Sequence, residues 1–227
     1  MKFGTNEIQK VYLGTTELDK LYFGTSEVYS KSGGFDEYTL GVWHFNGNTD
    51  NAVVDSQYQF DTSSSVVIYN DNGKFGQSAF INSNTSSKII TFPANIGTSP
   101  FCYDFWINHI SGGSTMYIGL GDNYYGNGFT VTNNTLKVCY GNPSFYTVPG
   151  FSNNSWHHIA FEYTNGHRYW YYDGQLVYSA TYSGGVDKNC FYFSNNDANN
   201  LIDELRLSNI GRYNGNNFTP SNSPYGD

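Results

Sequence analysis

SWHHIAFEYTNGHRYWYYDGQLVYS, running from Ser155 to Ser179, alternates its side chains with a period of two. Trp156, His158 and Ala160 point one way, and His157, Ile159 and Phe161 the other, as in a β-strand. Asn165-Gly166 supplies the positive φ angles of a tight hairpin, and Asp173-Gly174 does so again one strand later. Tyr, Trp, Ile and Phe fill the arms, which suits a pleated, half-buried surface. The stretch therefore predicts three consecutive antiparallel strands, with Trp170 and Tyr172 facing the core.

The same style extends outward in both directions. FCYDFWI (101–107), Met116–Leu120, Phe129–Thr132, Leu136–Tyr140 and Cys190–Ser194 read as further short strands between Asn/Gly-rich loops. Upstream, Leu40, Val42 and His44 alternate with Gly41, Trp43 and Phe45 before Asn-Gly-Asn-Thr-Asp. A chain of 227 residues, 19% aromatic and only 13% charged, fits a single all-β domain and argues against helix bundles or disorder.

Several of these stretches resemble one family. Trp-His-His-Ile-Ala at 156–160, then a turn, then Tyr-Asp-Gly-Gln-Leu-Val at 172–177, resembles the central hairpin of laminin-G-like domains, members of the concanavalin A-like jelly rolls. Residues 40–50 are similar to the family's first strand and its Asp/Gly-rich turn, and Val53-Val54-Asp55-Ser56 continues the match. Lys74–Ala79 is similar to its Gly-x-x-Gly-x-Ala/Leu step, and Asp104-Phe105-Trp106-Ile107 to its Glu-Phe-Trp-Val segment. LIDELRLSNIGRY (201–213) resembles the closing strand, and Asn217–Pro220 the Asn-Phe-Thr-Pro that follows it in phage members. The resemblance implies an antiparallel two-sheet jelly-roll sandwich over residues 39–220, with 221–227 as a tail.

The amino terminus is different. MKFGTNEIQK, VYLGTTELDK and LYFGTSEVYS align without gaps at a ten-residue period. Each unit reads as a short strand, a Gly-Thr turn and a second short strand. Apolar residues recur at every fifth position: Phe3, Ile8, Leu13, Leu18, Phe23 and Val28. Segments below about 40 residues rarely enclose a core of their own. Residues 1–30 are therefore expected to be covered by copies of this chain or by a larger assembly, and 31–38, with Lys-Ser-Gly-Gly, to act as a linker. The repeats resemble those heading certain tailed-bacteriophage virion proteins.

Charge and cysteine usage narrow the function. A net charge of −8 would repel phosphate backbones, which excludes a nucleic-acid role. No apolar run reaches the roughly 20 residues of a membrane helix, so membrane insertion is not expected, and no secretory signal pattern opens the chain. Cys102, Cys139 and Cys190 form no Cys-x-x-Cys pair and are expected as free, buried thiols in a protein that folds in a reducing cytosol. Glycoside hydrolysis needs two suitably spaced carboxylates. Glu162 has none at a two-residue offset, and Asp203 and Glu204, being adjacent, should face opposite sides of their strand. His157 and His158 point apart and are expected to be structural, as are His44, His109 and His167.

Two sites remain. Ca²⁺ takes hard oxygens, and Asp50, Asp55, Asp203 and Glu204 occupy positions similar to those that hold it in laminin-G-like domains. The competing reading makes Asp50 and Asp55 formers of Asx turns and pairs Asp203 or Glu204 with Arg206 or Arg212. A sugar site combines an aromatic platform with amides and carboxylates. Asp122, Tyr124, Tyr125 and Asn127 sit within one short loop, Tyr146 lies in a second, and 195–200 form a third. The expectation is a non-enzymatic virion protein, a head-decoration fibre or tail appendage assembled in the host cytoplasm. Its arm would join other virion proteins or copies of itself, and its lectin-like domain could adhere to surface glycan. The alternative is a glycan-binding module of a bacterial secreted protein.

Overall fold

The computed structural model describes residues 2–3, 6–7, 12–14, 16–17, 20–23, 26–30, 35–53, 56–61, 66–94, 97–111, 116–121, 127–140, 144–182, 184, 189–195 and 199–226. Each amino-terminal repeat is a two-stranded hairpin: β1 (Lys2–Phe3) with β2 (Asn6–Glu7), β3 (Tyr12–Leu13) with β4 (Thr16–Glu17), and β5 (Lys20–Phe23) with β6 (Ser26–Ser30). Gly14 turns the second hairpin at φ 65°.

The rest is a sandwich of two antiparallel sheets. Its strands are β7 (Thr39–Trp43), β8 (Val66–Asn70), β9 (Ser78–Thr91), β10 (Phe101–Ser111), β11 (Met116–Leu120), β12 (Gly128–Thr132) and β13 (Thr135–Cys139). They continue as β14 (Phe145–Thr147), β15 (Trp156–Thr164), β16 (His167–Tyr172), β17 (Gln175–Thr181), β18 (Cys190–Asn195) and β19 (Asn199–Ser208). One sheet runs β17-β16-β15-β10-β19, where β19 then meets β7 along one half and β9 along the other, with β8 outside β9. The second runs β14-β13-β12-β11-β18-β9. Long strand β9 serves both sheets, pairing β8 and β19 through residues 78–82 and β18 through residues 83–91.

The quoted hairpin forms as its pattern dictates. Ile159 and Phe161 join the core with Trp170, and Tyr172 packs against it. Asn165 and Gly166 take φ of 50° and 75°, Asp173 and Gly174 47° and 76°. Trp43, Tyr103, Phe105, Phe129, Phe191 and Phe193 fill the space between the sheets. All three cysteines are buried and none forms a disulfide, and burial pushes the Cys139 thiol up to about 12, so it stays protonated and inert at neutral pH.

Three expectations need correction. The closing strand ends at Ser208 rather than Tyr213, because Asn209 turns away to donate its N–H to the Tyr38 carbonyl. Residues 209–226 then run back over the outer face of the first sheet, so 221–226 are part of the domain rather than a tail. Tyr225 is buried, and the Phe218 N–H donates to the Gly174 carbonyl at 2.8 Å. A Cβ on Gly174 would lie 2.0 Å from the Phe218 oxygen, so close approach as well as positive φ requires glycine there. Finally, Asp203 and Glu204 do not face opposite sides. Trp106 pairs with Asp203 and Asp104 with Arg206, so Glu204 and Leu205 together oppose Phe105 in a β-bulge with Glu204 at φ 53°. The extra residue keeps Ile202 and Leu205 in the core and brings both acids to the outer side.

Candidate functional site

Two regions carry the chemistry-bearing residues. The first is the open side of the sandwich, where β13 and β14 of one sheet approach β17 of the other. Tyr146 is opposite Val138, Tyr140 follows β13, and Tyr178 is opposite Trp170. Tyr140 and Tyr178 stack with centroids 4.4 Å apart and planes 28° apart, and Tyr146 lies 5.4 Å from Tyr178. Trp170 supports Tyr178 edge-on at 5.6 Å. Desolvation and the adjoining Tyr140 raise the Tyr178 hydroxyl, so it is neutral and available as a donor or acceptor. Tyr146 remains 38% exposed and Phe145 41%. This is an aromatic ledge, backed by the core and open to solvent on one side.

The loop candidates are described only in part. Asp122, Tyr124 and Tyr125 lie outside the described residues. Asn127 is buried, and its carbonyl accepts the Tyr103 hydroxyl at 2.9 Å and the Leu120 N–H at 3.2 Å. Tyr146 is on the ledge. Its partners Tyr140 and Tyr178 were missed, because strand periodicity cannot tell which edges of two sheets meet.

The second region is a buried charge network beneath residues 209–226. Arg206 places Nε and Nη2 on the two oxygens of Asp104 at 3.1 and 2.7 Å, and Tyr213 donates its hydroxyl to the same carboxylate at 2.5 Å. Burial alone would raise Asp104, but the Arg206 charge and these bonds hold it down at about 2. Glu162 accepts the backbone N–H groups of Tyr213 and Gly215 and the Tyr171 hydroxyl, while burial raises it. His158 meets the Tyr225 hydroxyl through Nε2 at 3.0 Å, and burial lowers it to about 4, so it is neutral at pH 7. Its neighbour His157 is tied to Asp173 at 2.8 Å and to Ser152. Both rings are held by hydrogen bonds within the domain.

Of the calcium candidates, the described acids Glu204 and Asp203 have partners within the protein. Glu204 uses one oxygen on His44 Nδ1 at 2.6 Å and the other on the Tyr225 N–H at 2.8 Å. Asp203 Oδ2 accepts the Phe75 N–H at 2.9 Å, clamping the Lys74–Ala79 turn. Neither pairs with the expected arginines, since Arg206 holds Asp104 and Arg212 holds Asp36. Asp50 donates its N–H to Asn48, and Asp55 lies outside the described residues. Among the described residues no group of three or more His, Cys, Asp or Glu could hold a metal ion.

Asp203 has a consequence for pH. Burial pushes it from 3.8 up to about 7, with Glu204 adding repulsion. The folded state thus binds a proton that the unfolded chain has released, so stability should fall as pH rises from 3.8 to about 7 and level off above. Asp203→Asn keeps an acceptor for Phe75 and removes the ionisation. It should gain on the order of 2–4 kcal/mol at pH 8 and flatten the slope. Urea titrations at pH 5 and 8 check this; an unchanged slope contradicts it, and EDTA should leave both profiles unmoved.

The sequence also matches a known family over most of the sandwich. Residues 82–212, more than half of the chain, match the model of the concanavalin A-like lectin/glucanases superfamily. The chain belongs to that superfamily. Among solved structures, this concanavalin A-like chain is similar to domain 4 of an extracellular arabinanase from Geobacillus stearothermophilus, solved with arabinotriose. Identity is 18% and TM-score 0.50, over 76% of this chain and 93% of that one. It is also similar to the binding domain of botulinum neurotoxin DC in complex with SialylT, at 14% identity and TM-score 0.51, over 77% and 48% of the two chains. Trypanosoma rangeli sialidase matches at 12% identity and TM-score 0.50, over 78% and 31%. The chain therefore spans about a third to a half of the sialidase and neurotoxin chains, and these likenesses establish the fold. No curated protein sequence matches this one.

Proposed function

We propose that this chain is a non-catalytic carbohydrate-binding module, displayed on a tailed-bacteriophage virion as a head-decoration fibre or tail appendage by residues 1–30. The observation that carries the binding function is the ledge of Tyr140, Tyr146 and Tyr178: stacked, supported by Trp170, and open to solvent at Tyr146. Flat aromatic faces take the C–H face of a sugar ring, and neighbouring hydroxyls take its polar rim. The domain's likeness to an arabinanase domain solved with arabinotriose and to a neurotoxin binding domain in complex with SialylT supports a glycan as partner. Asp104, Glu162, Asp203 and Glu204 are all sealed inside the domain, out of reach of a glycosidic bond, which supports a non-catalytic role.

The arm supports display. Its three hairpins repeat at ten residues, and Leu13, in the apolar row, is 73% exposed and ready for cover by another subunit or virion protein. A second reading, a glycan-binding module of a bacterial secreted protein, has its support in the arabinanase likeness, which covers nearly all of that domain. A glycan array probed with the full chain should give saturable binding; no binding to any glycan overturns the lectin function. Mass spectrometry of purified particles separates the two settings, because a secreted module would be absent from them.

A further inference from the structure

At the start of β15 a serine, a histidine and an aspartate are linked in series. Ser152 Oγ lies 3.0 Å from His157 Nε2, and His157 Nδ1 lies 2.8 Å from Asp173 Oδ2. A carboxylate only accepts, so Nδ1 carries the ring proton and Nε2 turns its lone pair to the Ser152 hydroxyl. The Tyr172 hydroxyl donates to the Gly150 carbonyl at 3.3 Å and can accept from Nδ1 at 2.8 Å as well. Each member of the series is fixed by its surroundings. Asp173 keeps its other oxygen on the His158 N–H at 2.8 Å. The Phe151 and Tyr172 rings lie 5.4 and 5.0 Å from the buried His157 imidazole. The loop bearing Ser152 is tied on both sides, by the Val148 N–H on the Leu136 carbonyl at 2.9 Å and the Asn154 N–H on the His109 carbonyl at 2.8 Å. Ser152 itself is exposed. We propose that Ser152 is an activated nucleophile that takes an acyl group from an activated ester, with His157 as general base and Asp173 as a positioning residue.

The step is a single acyl transfer. Ser152 Oγ bonds to the acyl carbon, the ester C–O bond breaks, and His157 Nε2 takes the hydroxyl proton and passes it to the departing oxygen. The products are an acylated chain and a free alcohol. One ester is consumed per chain, so the reaction adds to the glycan-binding role without making the module a turnover enzyme. The Ser152 carbonyl, 3.2 Å from Nε2, can accept only from a protonated nitrogen, so it steadies the imidazolium formed in mid-transfer. Charge selects the donor. The Asp173 side chain beside the serine is 42% exposed and the chain carries a net −8, which together repel an anionic phosphoryl donor but not a neutral ester. An aryl ester has the good leaving group that the step requires.

The test incubates the full chain with p-nitrophenyl acetate. A burst of about one equivalent of p-nitrophenol should be released, and peptide mass spectrometry should place the acetyl group on Ser152. Ser152→Ala, at an exposed position, should lose the burst and keep the Tm. His157→Gln removes the base and should slow acetylation about 100-fold. Asp173→Asn still accepts the His158 N–H but no longer holds the proton on Nδ1, so it should slow the reaction at least about tenfold. Rates are compared below the Tm of each variant, so loss of folding is not read as loss of the nucleophile. No glycan enters the assay, and its outcome leaves the tyrosine ledge untouched. No burst, acetylation at another residue, a burst that survives Ser152→Ala, or unchanged rates in folded His157→Gln or Asp173→Asn would each overturn the proposal.

Discussion

A chain ended at Ser208 is expected to lose the cooperative thermal transition of the full chain or to melt many degrees lower. Residues 209–226 form no strand, yet they satisfy the charged groups of the sheet beneath. Tyr213 gives its hydroxyl to Asp104 and its N–H to Glu162, Gly215 gives a second N–H to Glu162, and Tyr225 gives an N–H to Glu204. Hydrogen bonds to charged groups contribute about 1.5–3 kcal/mol each. The Tyr213 and Phe218 rings stack at 3.6 Å with planes 5° apart, and Tyr225 joins Phe35 and Val42 in a small second core. Each large buried side chain adds roughly 1.5–3 kcal/mol. Taken before the entropy of ordering the segment, these contributions are of the same order as the 5–15 kcal/mol by which domains are stable. A Tm within about 3 °C of the full chain, a shift that about 1 kcal/mol would produce, would refute the role given to this segment.

Arg206→Leu should be the most damaging single substitution in the network, at about 3–5 kcal/mol, because it leaves the Asp104 carboxylate buried without its counter-charge. The loss should be pH-dependent with a definite sign. With Arg206 present, Asp104 titrates at about 2 against 3.8 unfolded, so its contribution is complete above 3.8 and lost as pH falls to about 2. Without Arg206, burial dominates and raises Asp104, so the variant should instead lose stability as pH rises above 3.8. Replacing both residues by leucine should recover much of the single variant's loss. Urea denaturation from pH 3 to 8 decides the matter; an Arg206→Leu profile parallel to the unsubstituted one would contradict it.

Much of the fold was legible because its strongest signals are local. Asn165-Gly166 and Asp173-Gly174 announce their turns, the alternation from Trp156 to Tyr163 fixes its own faces, and the ten-residue repeat yields three hairpins. Strand β9 was not legible: SAFINSNTSSKIIT carries too many polar residues for an apolar period, and its position shared by two sheets sustains it. The bulge at Glu204 was hidden for a related reason, since a period of two assumes no extra residue and only the register against β10 reveals one. The same applies to the ledge. Tyr146 drew notice because it stood in an Asn/Pro/Ser turn, whereas Tyr140 and Tyr178 acquire meaning only when β13 and β17, far apart in sequence, become neighbours across the open side. Residues 209–226 have no periodicity at all, and their role depends on which buried groups need partners.

The most direct test of carbohydrate recognition by the ledge is a titration of the array's best-bound glycan against the full chain and against Tyr146→Ala. Tyr146 is 38% exposed, so the variant should keep its Tm while losing at least about tenfold in affinity, ~1.4 kcal/mol. Equal affinity for both proteins, with folding unchanged, would contradict the account.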